Sequence, residues 1–101
     1  MTGTVKDVIE VKGRVALQYG AAGVIVIFSH DPSAPPPDVG DPVRLIRGDG
    51  WSYTGCAEDV RFEPSATASG MFLRELVRDD VPIGSTIQWG AEVTTPQAAV
   101  A

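Results

Sequence analysis

The stretch SGMFLRELVRDDVPIGSTIQWG, residues 69–90, constrains this chain most, because its apolar residues fit two incompatible elements. Met71, Phe72, Leu73, Leu76 and Val77 can form one face of a short helix, or a buried strand that ends at Arg78-Asp79-Asp80. The first choice gives an α/β protein and the second an all-β one. A helix would run from about Met71 to Asp80, barely ten residues before Pro82. Asp79 and Asp80 would then sit at the negative end of the helix dipole, and only Ser69 is placed to cap its start. As a strand, MFLREL lies between Gly70 and a charged turn, and STIQWGAEV follows Gly84 as the next strand. The neighbouring segments also read as strands, so the strand assignment agrees with its context. It is preferred, with a single helical turn at RDDV.

Residues 8–17, VIEVKGRVAL, alternate with Ile9, Val11, Val15 and Leu17 on one face and Glu10, Lys12 and Arg14 on the other. That is the period of a half-buried strand, with Gly13 at a bulge or bend. YGAAG supplies a turn, and Val24–Phe28 is a β-branched strand covered on both faces. Residues 29–41 form a loop, since three consecutive prolines favour polyproline II and offer no amide donors. A strand at 42–47, a Gly48-Asp49-Gly50 hairpin turn and a long returning strand at 51–63, interrupted at Gly55, complete the middle. These readings predict one domain over residues 1–93 and a flexible tail over 94–101.

The net charge of −5, from 8 basic and 13 acidic residues, opposes a phosphate-tracking nucleic-acid binder. Cys56 is alone, which rules out an intramolecular disulfide and a cysteine-based zinc site. No signal pattern is present, and no apolar run approaches the ~20 residues that span a bilayer. The expectation is a soluble, cytoplasmic protein that needs no cofactor and does not associate with membranes.

Three segments, in order, resemble the second domain of the translational GTPases, the β-barrel that follows the nucleotide-binding domain in elongation factor Tu and its relatives. DVGDPVRLIRGDG (38–50) is similar to the family's Val-Gly-Asp step before a barrel strand. GMFLRELVRDDVPIGSTIQW (70–89) is similar to its strand, helical turn and glycine-led final strand, matching at Leu73, Arg74, Arg78, Asp79, Asp80, Val81 and Gly84. YTGCAEDVRF (53–62) resembles the strand in which Thr-Gly precedes an acidic and a basic residue. The resemblance implies a closed antiparallel six-stranded barrel with a short helical turn near 77–81. It also implies that Glu58 and Arg61 correspond, out of register by about a residue, to the positions that hold a tRNA acceptor end. The chain departs from the family in having no P-loop, no asparagine and a longer loop before Val-Gly-Asp.

Candidate sites follow from residue type. Arg44, Arg47, Trp51 and Tyr53 flank the hairpin turn and have the composition of binding hot spots. The alternative for Trp51 and Tyr53 is that they plug the barrel end. His30-Asp31 with Cys56 could be an acid/base pair and a nucleophile, but a solvated His30 and a buried Cys56 are expected, and PSAP (32–35), which formally fits P-x-x-P, is expected to be a rigid surface loop. Asp79-Asp80 with Glu75 reads as a solvated turn, so no metal site is expected. The function expected is a non-enzymatic binding module for a protein partner or a small ligand. The alternative is an RNA-facing accessory that holds a tRNA acceptor end or part of the translation machinery.

Overall fold

The computed structural model describes residues 1–90 and Val93, so the tail expected over 94–101 lies outside the described residues. The chain forms β1 (Thr2–Val11), α1 (Arg14–Tyr19), β2 (Gly23–Ser29), β3 (Pro42–Ile46), β4 (Ser52–Cys56), β5 (Glu58–Arg61), β6 (Ala68–Arg74) and β7 (Thr86–Trp89). A 3-10 turn spans Arg78–Asp80, where the Val77 N–H donates to Asp80 Oδ2 at 3.0 Å. Residues 69–90 are therefore strand, helical turn and strand, and the fold is all-β apart from α1. No helix among the described residues is long and apolar enough to cross a membrane.

The strands make one antiparallel sheet in the order β4-β3-β7-β1-β2-β6-β5. It has seven strands where six were expected, and it is not closed, because no ladder joins β4 to β5 among the described residues. The extra strand comes from the segment read as one strand over 51–63. That segment breaks at Ala57, not at Gly55. Ala57 is fully buried, its N–H donates to the Asp41 carbonyl at 2.8 Å, and its own carbonyl accepts from the Gly40 N–H at 2.9 Å. Those bonds take Ala57 out of both ladders, so β4 pairs with β3 before it and β5 with β6 after it. Pro42, which has no amide to donate, stands at the first position of β3, where a strand tolerates it.

The strand expected over 8–17 is corrected. The β1–β2 register shifts between Val5 and Asp7, so Val5 and Val8, three residues apart, both reach the core. A bulge of this kind inverts the alternation that follows it, and Ile9 is left 50% exposed. The strand stops at Val11, Gly13 takes φ 61, and the chain leaves the sheet as α1. Gly20, at φ 79, ends that helix in the left-handed conformation that favours glycine. Leu17, expected inside, is 82% exposed.

The core combines Val5, Val8, Val24, Val26, Val43, Leu45, Met71, Leu73 and Ile87 with Phe28 and Trp89. Each such side chain contributes about 1.5–3 kcal/mol on full burial. At one end Phe28, Phe62 and Trp89 pack with ring centroids 5.2 to 6.3 Å apart. The proline-rich loop covers this end: Ala34 and Pro37 are buried, and the Trp89 indole N–H donates to the Pro35 carbonyl at 3.2 Å. PSAP is thus partly spent on internal contacts. The faces of β2 differ, with Val24, Val26 and Phe28 buried and Ile25 and Ile27 only half-buried.

Gly23 sits where β2 passes between Val11 of β1 and Arg74 of β6. A Cβ there would collide with the Leu73 carbonyl oxygen and lie 2.7 Å from Arg74 Cα, both backbone atoms that cannot swing away. Gly23→Ala is expected to cost roughly 2–3 kcal/mol in urea unfolding. Gly48→Ala, where no atom lies within 4 Å, should change stability by less than about 0.5 kcal/mol.

Candidate functional site

The hairpin residues divide, with Arg47 against Trp51 and Arg44 on the other face of the sheet. Leu45 pairs with Tyr53, and Arg47 donates its N–H to the Trp51 carbonyl at 2.8 Å. Trp51 and Tyr53 are half-buried against the core. The Arg47 guanidinium lies 4.5 Å from the Trp51 ring centroid and grips Asp49 through two hydrogen bonds of 2.8 and 3.2 Å. Asp49 also accepts from the Trp51 N–H at 3.0 Å. The Arg47 bond, then the Trp51 one, hold its carboxyl below the usual aspartate range. The Tyr53 phenol donates to the Arg74 carbonyl at 3.4 Å, and burial, followed by the nearby Glu75 and Glu58 charges, pushes its pKa up. Arg44 pairs with Thr54 and Gln88, so strand alternation turns it to the face opposite Tyr53.

Glu58 and Arg61 line a cleft of about 480 Å³ together with Gln18, Tyr19, Val39, Asp59 and Phe72. Glu58 pairs with Phe72 and Arg61 with Gly70, so three steps along β5 face two along β6. The extra residue makes a bulge, and Asp59 within it takes φ 45. A non-glycine residue held there stores backbone strain, which the surrounding structure must enforce.

The walls of the cleft are chemically distinct. Tyr19, at the end of α1, packs on Phe72 with ring centroids 4.8 Å apart. Val39, 72% exposed, lines it from the turn at 38–41. Glu58 receives two hydrogen bonds of 2.7 Å from Arg74, which hold its carboxyl below the ordinary glutamate value of 4.5 and raise the Arg74 value in turn. Arg61 approaches Asp59 at 3.5 Å only.

Sequence reasoning selected Glu58 and Arg61 but missed the rest. Tyr19 stood in a segment read as a turn, Phe72 was counted as core, and nothing in the sequence marks Asp59 as left-handed.

His30 is buried and Cys56 exposed, the reverse of the solvated histidine and buried cysteine expected, and His30 does not pair with the Asp31 carboxylate. Its Nδ1 faces the Asp31 carbonyl at 3.1 Å, which can only accept, so the proton is assigned to Nδ1. Its Nε2 then accepts from the Ser69 hydroxyl at 2.8 Å, and Ser69 Oγ accepts from the Glu63 N–H at 3.3 Å. The ring stacks on Phe62 at 4.2 Å. The Asp31 carboxylate turns instead to the Ser33 N–H and hydroxyl, at 2.9 and 2.8 Å. Those bonds, the backbone one foremost, hold it below the usual aspartate range. Cys56 is exposed on β4. No group of three or more His, Cys, Asp or Glu side chains is arranged to hold a metal among the described residues.

These features define an all-β, single-sheet protein with an aromatic and charged cleft beside one edge strand. No known protein family, curated protein or solved structure matches the chain.

The Glu58–Arg74 pair carries a pH signature. Because the folded value of Glu58 lies below 4.5, its stabilisation is present above that pH and is lost as pH falls through the folded value. Arg74→Gln should therefore be less stable than the parent at about pH 7, by a margin that shrinks as pH is lowered below the ordinary glutamate value, measured by urea unfolding across that range.

Proposed function

We propose that this chain is a non-enzymatic binding module whose open sheet is related to the barrel of the translation-factor second domain. Its ligand site is the cleft between α1 and β5, and its occupant is a protein partner or a small ligand. The observation that carries this reading is the convergence of the Tyr19–Phe72 pair with a strained, charged bulge at Glu58, Asp59 and Arg61. Concave sites with an apolar wall and a few placed polar groups are where ligands bind, and bulges commonly re-aim side chains beside such sites. The relation to the barrel draws support from Ala57, which alone separates the two edge strands. A cytoplasmic setting accords with a lone, exposed thiol at Cys56. Arg47, Trp51 and Tyr53 act in this reading as the packed end of the fold.

One observation favours the RNA-facing alternative. Glu58 and Arg61, the two residues the family resemblance singled out, both line the cleft.

Capture from a cell extract separates the readings when wild-type protein is compared with Tyr19→Ala and Trp51→Ala at low and moderate salt. A protein retained by wild type and Trp51→Ala at both salts, and lost from Tyr19→Ala, is the expected result. Loss from Trp51→Ala alone would return the site to the hairpin. Enrichment of tRNA only at low salt would favour the RNA reading, since phosphate contacts weaken as salt rises.

A further inference from the structure

The cleft lining carries two carboxylates, Glu58 and Asp59, and one guanidinium, Arg61. Both carboxylates share the cleft with Tyr19, in a chain whose net charge is −5. The two arginines near them are held very differently. Arg74 is locked on Glu58 by two bonds of 2.7 Å. Arg61 is 79% exposed and reaches Asp59 at 3.5 Å, an ion pair of the kind that contributes little in water. Arg61 therefore occupies Asp59 without being committed to it. An anionic ligand would meet both carboxylates with Arg61 alone to receive it. A bare metal ion would find no group of three ligating side chains among the described residues.

Building on the binding role above, we propose that the cleft takes the guanidinium or ammonium group of a basic side chain on a segment of a partner protein. That group lies against Tyr19 and displaces Arg61 from Asp59. Charge complementarity sets the cation, and the lining sets its flanks: Val39, 72% exposed, suits an apolar neighbour. An ionised carboxylate accepts several hydrogen bonds, so Glu58 can keep Arg74 and still receive a further donor.

The test uses three peptides as probes, acetyl-Leu-Arg-Leu-amide and the same peptide with citrulline or glutamate at its centre. Each is titrated to roughly 10 mM, which reaches weak affinities, against the 15N-labelled protein. The arginine peptide should shift the amides of Tyr19, Val39 and Asp59. Citrulline, which keeps the shape and removes the charge, should bind about fivefold more weakly, the scale of one exposed cation–π contact plus one exposed ion pair. Arg61→Gln should tighten the arginine peptide, and Asp59→Asn should weaken it. Equal binding of arginine and citrulline, or stronger binding of glutamate, would overturn the cation assignment and leave the binding role intact. An absence of cleft shifts with the arginine peptide would overturn it too. The binding role would then stand or fall with the Tyr19-dependent capture. Cleft shifts that track protein concentration without peptide would assign the cleft to a second copy of this chain.

Discussion

Two backbone hydrogen bonds at Ala57 organise this molecule. The Asp41 carbonyl and the Gly40 N–H hold Ala57 against the turn at 38–41, and the residue is fully buried there. Each bond contributes only about 1 kcal/mol net, but a buried amide or carbonyl left without its partner would cost more than that. While they hold, one stretch of chain supplies both edges of the sheet, β4 on β3 and β5 on β6. The same clamp brings Val39 beside β5 and so forms one wall of the cleft.

The rest of the fold makes that clamp affordable. A valine-rich interior and three rings at one end supply the burial, and the proline-rich loop closes over them through the Trp89–Pro35 bond. Gly23 lets β2 and β6 approach as closely as they do. Against this stand two strained residues, Asp59 at φ 45 and Glu75 at φ 70. Left-handed backbone costs on the order of 1 kcal/mol at a residue with a Cβ. Asp59 lies in the cleft, where strain of this sort is commonly retained for a purpose.

The sequence made the all-β class legible because the 69–90 stretch was judged against its neighbours, and β6, the 3-10 turn and β7 follow that judgement. It hid α1 for a physical reason. Val11, Val15 and Leu17 continue the alternation of a strand, and only the backbone angle at Gly13 shows that the chain has left the sheet. The bulge before Asp7 hid the phase of β1 in the same way, so Ile9 was placed inside and Val8 was not. The cleft was legible only in part. Its walls come from α1, the 38–41 turn, β5 and β6, and no local pattern joins Tyr19 to Val39 or Phe72. The hairpin set looked coherent because Arg44, Arg47, Trp51 and Tyr53 are close in sequence, yet pairing turns Arg44 away from the others.

The most direct test of the account is amide hydrogen exchange at Ala57 and Gly40, read residue by residue by NMR beside the central amides of β1 and β2. The account predicts that both amides are protected together and to a degree comparable with the sheet, since one clamp holds both edges. Exchange of Ala57 and Gly40 at the rate of an open loop, with β1 and β2 still protected, would contradict it.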